Sequence, residues 1–322
     1  MASLKIALGN YGLTKPLKDG SVRAAGLELE YVPVDAIVPA MRRMVRGLEF
    51  DICEMAFTTY LCAKAYGKPI TAIPVFITRN FHHWAIFYNV QSGIKTPKDL
   101  EGRTVGVNRG YTVTTGLWAR GILQSEYSVD LRKITWAPTD EEHVAEYKAP
   151  ANVDLSYRGQ PLAELLGSGK LPAAVGDVRF NSPDAHPHVQ PDVQPLIPDA
   201  RNAGFAYFRK TGVYPINHGL VVKDSLLKAN PGLGKELFDA FRAAKKIYMA
   251  RLDAGENLSP ADETVLALKR VVGDPFPLGV SDPKGPNRKA LETMVQFAVD
   301  QQVIPKAFSV EELFAPGTLD LE

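Results

Sequence analysis

The sequence predicts an α/β protein of two domains, each an open mixed sheet with helices on both faces, and a ligand cleft between them. Three observations point there. The chain has 322 residues, about twice the ~150 of an average domain. Strand and helix signals alternate through the first eighty residues, the order that builds parallel sheets. Two β-rich segments, near 80–90 and 205–222, read as crossings. They make 1–85 and 210–322 one discontinuous domain, with the C-terminal helices, and 86–209 an inserted second domain.

Lys5–Leu8 reads as a strand halted by Gly9-Asn10, and Leu27–Val34 as the next. Asp35 is placed to N-cap a helix that Gly47 closes. On it Ile37, Val38, Met41, Met44 and Val45 recur at helical spacing, while Arg42, Arg43 and Arg46 take the other face. Phe50–Met55 is a strand, Thr58-Thr59-Tyr60 starts a helix, and Ile70–Ile77 is a further strand. These strands are apolar enough to be buried on both faces, as parallel strands are. After the apolar strand Trp84–Tyr88, Thr96–Gly102 opens the second domain. It holds strand Thr104–Val107, loop Asn108–Tyr111, a helix through Trp118–Ile122, a strand near Ile134–Trp136, helix Leu162–Leu166 and strand Ala173–Val175. A Pro-rich irregular run spans Ser182–Pro198; Gly212–Val222 returns as a β-rich crossing, and helices over Leu233–Ala250 and Asn287–Gln302 complete the chain.

Charge narrows the partners. With 37 Lys+Arg against 36 Asp+Glu, no basic surplus calls for nucleic acid or an anionic membrane, and a small molecule is expected instead. Apolar stretches such as Val75–Ile77 or Pro172–Val175 fall far short of the ~18–20 residues that span a bilayer. Cys53 and Cys62 have neither a disulfide-framework nor a metal spacing and read as buried hydrophobes. The amino terminus shows no basic region, long apolar run or cleavage site, which sets the expectation of a cytoplasmic protein.

Five motifs in order, Glu49–Glu54, Pro74–Phe81, Asp99–Val107, Trp118–Leu123 and Tyr214–His218, resemble the 4,5-dihydroxyphthalate decarboxylases over roughly residues 4–250. The pattern departs from that family at Tyr111–Gly116 and at Asn217. The resemblance implies a type II periplasmic-binding-protein-like fold and non-oxidative decarboxylation of a dihydroxylated aromatic dicarboxylate without a cofactor. It also implies a small aromatic carboxylate as partner and association into a homo-oligomer.

Such chemistry needs a clamp for carboxylates, an acid for the ring carbon, and acceptors that push electron density from the hydroxyls into the ring. Arginine suits the clamp, because its planar fork matches a carboxylate; Arg79 and Arg109 lie just past strand ends. Between Val107 and Trp118 a loop feeds a helix whose first N–H groups lack internal partners and so attract anions. Thr112, Thr114 and Thr115 add hydroxyls there, with helix capping as their ordinary alternative. Asn10, Asp177 and Arg179 complete the substrate-binding candidates. His82, His83 and His218 lie in the crossings and are the proton-donor candidates; neighbours on a regular strand face opposite ways, so His82 and His83 do not both enter a cleft. Glu54 is a candidate base following an apolar strand. His186-Pro187-His188 with Asp184 lacks a further spaced ligand set, so no metal site is assigned. The competing class is a solute-binding protein that delivers an aromatic acid to a transporter, for which a proton donor has no use.

Overall fold

Leu4–Ala7 (β1), Lys15–Lys18 (α1), Leu29–Tyr31 (β2), Ile37–Gly47 (α2), Ile52–Ala56 (β3), Phe57–Ala65 (α3) and Ile70–Arg79 (β4) follow one another in strand–helix order. β2 is shorter than the predicted Leu27–Val34, since only Leu29–Tyr31 pair with β1. In α2 the stripe Ile37, Ala40, Met41, Met44 and Val45 is buried. Its N-cap is Ala36 rather than Asp35, and the left-handed turn falls on Leu48, φ 49°, one residue past Gly47. Ile86–Asn89 (β5), Thr104–Val107 (β6), Thr114–Tyr127 (α4), Thr135–Pro138 (β7), Leu162–Gly167 (α5), Ala173–Val175 (β8), Val193–Pro195 (β9) and Ala200–Thr211 (α6) come next. Ile216–Lys223 (β10), Asp224–Ala229 (α7), Leu233–Ala254 (α8), Pro260–Val272 (α9), Pro286–Asp300 (α10) and Val310–Leu313 (α11) close the chain.

The computed structural model describes residues 3–178 and 192–322. They divide into unit 1, of Met1–Asn80, Gly212–Thr293 and Phe308–Glu322, and unit 2, of Phe81–Thr211 and Met294–Ala307. Met294–Ala307, which the sequence grouped with the first domain, belongs with unit 2 because its side chains pack there. Phe297 meets Trp118 edge-on at 5.7 Å, and Gln301 Oε1 accepts from Arg120 Nε at 2.7 Å.

The sheet of unit 1 runs β2-β1-β3-β10-β4. β1 is parallel to β2 and β3, and β10 is antiparallel to both β3 and β4. Ile6, Ile52, Ile73, Val75, Leu220 and Val222 from the strands join Leu233, Leu237, Phe238 and Phe241 of α8 in one buried cluster; each such side chain contributes about 1.5–3 kcal/mol on burial. The register also sets up chemistry. Leu220 faces Glu54 across the β10–β3 ladder and His218 faces Ala56. Side chains two apart on a strand share a face, so His218 and Glu54 are diagonal neighbours on one face, a separation polar side chains can bridge.

The sheet of unit 2 runs β7-β6-β8-β5-β9. β6 is parallel to β7 and β8, and β5 is antiparallel to β8 and β9. Phe87, Leu162, Leu165, Leu166 and Leu171 belong to one buried cluster within it. Among the described residues no helix is long and apolar enough to cross a membrane.

Candidate active site

The Glu54 side chain is fully buried in unit 1, and its Oε1 lies 2.6 Å from His218 Nδ1. A buried carboxylate is tolerated only where donors replace its water, and the loop after β1 provides them. Gly9 N donates to Oε2 at 2.8 Å and the Tyr11 hydroxyl to Oε1 at 2.9 Å. A Cβ at Gly9 would lie 2.5 Å from the Tyr11 ring, so a larger residue there would displace Tyr11. Burial, reinforced by the charge and hydrogen bond of Glu54, pushes the Tyr11 phenol far above its ordinary pKa, so it stays a donor. His218 keeps 18% of its side chain exposed. Gly219 beside it lets β10 approach closely: a Cβ there would sit 3.0 Å from the Phe57 ring. The unit thus holds an imidazole fixed through one nitrogen by a buried acid, an arrangement suited to moving a proton through the other.

Asn10 is exposed, and its Oδ1 accepts from Lys18 Nζ at 2.6 Å. Lys18 also donates to the Leu8 carbonyl at 2.8 Å; burial lowers its pKa, against the pull of Glu54. Arg79 ends β4 buried rather than open. Its guanidinium donates to the Tyr214 carbonyl at 2.7 Å and to Asn287 Oδ1, which commits the two terminal nitrogens of the expected carboxylate fork to the protein itself. Burial also pulls its pKa down. Neither Tyr11 nor Lys18 was singled out from the sequence.

In unit 2 the start of α4 does receive a carboxylate, but it is the chain's own. Glu142 accepts from Tyr111 N at 2.5 Å, and from Thr112 N at 3.1 Å and Thr112 Oγ1 at 2.6 Å. A Cβ at Gly110 would lie 2.5 Å from Glu142 Oε2. The hydroxyl of Thr112, a substrate-binding candidate, is therefore engaged by Glu142. Thr114, buried, and Thr115, half-buried, open α4 behind an N-cap, Val113, that brings no side-chain bond. Arg109 takes a left-handed turn, φ 67°, and its carbonyl accepts from Thr139 N at 3.0 Å. Asp177 is half-buried and its carbonyl accepts from Asn108 Nδ2 at 2.7 Å.

His82 and His83 are both buried in unit 2, in and before a 3-10 turn, His83–Ala85, that replaces the start of the expected strand. The strand-alternation argument therefore does not apply to them. His82 lies parallel to Trp118, ring centres 6.5 Å apart, and His83 packs on Tyr207 at 5.5 Å. Burial, opposed by the charge of Glu126, lowers His83 to about 4, so the ring is uncharged at neutral pH. Arg179, His186, His188 and Asp184 lie outside the described residues. Among the described residues no three His, Cys, Asp or Glu side chains converge as a metal-ligand set.

A family model described as NMT1/THI5 like matches residues 20–157. The chain is 31% identical over 258 residues to a 4,5-dihydroxyphthalate decarboxylase of Comamonas testosteroni, covering 77% of this chain and 76% of that one. It is 30% identical over 215 residues to a 4,5-dihydroxyphthalate decarboxylase of Pseudomonas putida, covering 64% and 81%. Among solved structures, the alkanesulfonate-binding protein SsuA of Xanthomonas axonopodis pv. citri aligns over 98% of each chain with TM-score 0.56 and 15% identity. The desulfurization enzyme DSZB aligns over 99% of this chain and 98% of its own with TM-score 0.56 and 15% identity. At such identity the structures establish the periplasmic-binding-protein fold, which binders and enzymes share. The two sequence relatives establish more: this chain belongs to the 4,5-dihydroxyphthalate decarboxylase family, and with it to the carboxy-lyases.

Proposed function

We propose that the protein releases CO2 from a dihydroxylated aromatic dicarboxylate, 4,5-dihydroxyphthalate or a close relative, with His218 as the acid that protonates the ring carbon. The 2.6 Å contact between His218 Nδ1 and the buried Glu54, in a chain of this family, carries the assignment. Glu54 fixes Nδ1, so Nε2 is the nitrogen that delivers the proton.

In the reaction Nε2–H gives its proton to the carbon bearing the departing carboxylate. Positive charge develops on the ring and the hydroxyl para to that carbon stabilises it. The carbon–carbon bond then breaks, its electron pair returns to the ring, and CO2 leaves. Aromaticity is restored, one carboxylate and both hydroxyls remain on the product, and His218 is reprotonated from solvent. General-acid catalysis of this kind is worth about 10²–10⁴ in rate.

The test is incubation of the purified protein with 4,5-dihydroxyphthalate and a panel of hydroxybenzoates, following CO2 release. Turnover of the dicarboxylate is expected, with His218→Ala losing about 10²–10⁴ of the rate while retaining binding. Binding without turnover across the panel overturns the assignment in favour of solute binding. Wild-type rates in His218→Ala remove that residue from the mechanism.

A further inference from the structure

Glu54 Oε1 serves two groups at once. His218 Nδ1 lies 2.6 Å from it and the Tyr11 hydroxyl donates to it at 2.9 Å, while Gly9 N holds the other oxygen at 2.8 Å. Charge that one donor draws from an oxygen is no longer offered to the next, so the two contacts at Oε1 compete. The proposed reaction uses the imidazole side of this arrangement and leaves the phenol without a part.

The fold fixes that phenol firmly. Thr14 is fully buried; its hydroxyl donates to the Gly9 carbonyl at 2.8 Å and accepts from Tyr11 N at 3.1 Å. The Tyr11 carbonyl in turn accepts from Thr14 N at 3.1 Å and Lys15 N at 3.0 Å. The ring closes over Gly9, where the missing Cβ leaves room for it. A side chain anchored in this way from its own backbone keeps its geometry while its partners exchange protons. Burial, together with the charge and hydrogen bond of Glu54, raises the Tyr11 phenol far above its ordinary range, so the donor is the same at every working pH.

Among the described residues, the other ionisable groups on the surrounding elements have contacts of their own. The Cys53 thiol of β3 meets the Glu54 carbonyl at 3.0 Å, and Arg79 of β4 donates to Tyr214 and Asn287. On α3 the Tyr60 hydroxyl donates to the Leu313 carbonyl and Lys64 lies by the Phe308 ring. Lys223 of β10 pairs with Asp51, and Asp224 of α7 accepts from Thr71. Lys18 of α1 donates to the Leu8 carbonyl and Asn10, although its charge interacts with Glu54. Tyr11 is thus the ionisable side chain that meets the same oxygen as His218.

We infer that Tyr11 is a positioning residue of the proton donor: by sharing Glu54 Oε1 with His218 it weakens the carboxylate's hold on the imidazolium and makes Nε2–H a stronger acid. The inference rests on the decarboxylase reading and deepens it. A ring carbon is a poor base, so its protonation gains from a stronger acid. Tyr11 acts through Glu54, not by contact with the reacting carbon.

The test follows the nitrogen NMR signals of the His218 imidazole against pH in the full chain, alongside the pH profile of CO2 release from 4,5-dihydroxyphthalate. Tyr11→Phe keeps the ring and removes the donor. The His218 titration and the alkaline limb of the profile should both move up by about one pH unit, the scale of one hydrogen bond to a charged group. Plateau kcat should fall a few-fold with KM unchanged. Tyr11→3-fluorotyrosine puts a stronger donor on the same frame and should move both curves the other way. A purely structural role gives no such reversal, and this variant decides the matter should Tyr11→Phe fail to fold. A His218 titration that is the same in wild type and variants, or a rise in KM with the pH profile unmoved, overturns the inference. If the titration shifts as stated but no acid releases CO2, Tyr11 keeps its role on the imidazole and the decarboxylase reading falls. CO2 release with unshifted titrations means the reverse.

Discussion

Each unit buries a glutamate, and the two are treated differently. Glu54 in unit 1 and Glu142 in unit 2 both accept hydrogen bonds from a loop that follows a strand, and both loops carry a glycine where a Cβ would clash, Gly9 and Gly110. Glu142 meets backbone amides and a threonine hydroxyl, donors that do not change with pH. Nearby, the buried Arg120 stacks over the Tyr111 ring at 4.0 Å and donates to the Tyr111 carbonyl at 2.7 Å, so Tyr111 couples a buried cation to a buried acid. Glu54 also has an amide and a hydroxyl donor, but its Oε1 meets in addition the edge of a partly exposed imidazole. One acid completes a structural network, and the other positions a group able to exchange protons. The lesson is that burial of a carboxylate does not mark a site; what its partner is able to do does.

The largest effect should separate the two acids kinetically. Glu54→Gln should lower kcat by about 10²-fold or more, since a general acid that loses its orienting partner loses most of its value, whereas Glu142→Gln should leave kcat within a few-fold. Equal losses in both variants, measured as CO2 release, would erase the distinction drawn between the units.

Acid stability comes next. Burial holds His83 at about 4, against ~6.5 in an unfolded chain. Between those values the unfolded chain takes up the proton and the folded one resists it. The contribution is therefore complete above pH ~6.5 and is lost as the pH falls toward 4, by about 3 kcal/mol at most. His83→Leu should flatten that part of the profile of denaturation midpoint against pH. A variant as acid-sensitive as the wild type would place the sensitivity elsewhere.

Glu142→Ala leaves the amides of Tyr111 and Thr112 without their acceptor, and should destabilise by about 2 kcal/mol, read as a lower midpoint in chemical denaturation. Smallest is Thr112→Val, which removes one donor to Glu142 and keeps the side-chain shape; about 1 kcal/mol is expected. A Thr112→Val loss as large as that of Glu142→Ala would show that the amide bonds contribute nothing.

Most strands were legible because short apolar runs between turn signals have few alternatives: Thr104–Val107 and Ala173–Val175 form strands over the residues read. α9 was missed although Ser259 and Asp262 form a capping box around its first turn, a signal present in the sequence. His218 and Glu54 were each candidates, but not as a hydrogen-bonded pair, since 164 residues separate them and only the β10–β3 register brings them together. At the start of α4 the donors were identified and their occupant was not. Nothing local announces that Glu142, 30 residues on, folds back to fill the place. Lys18 sits in a four-residue helix, too short for any periodicity to mark its face.

β10 lies between β3 and β4, yet it is made only after the whole Phe81–Thr211 segment. At about 5–20 residues per second, a nascent chain waits on the ribosome with two strand edges unpaired until that central strand emerges. Since β10 also carries His218, the contact between His218 and Glu54 forms in the same zippering event that seals the sheet. Formation of that contact during synthesis would thus serve as a clock for the completion of the sheet.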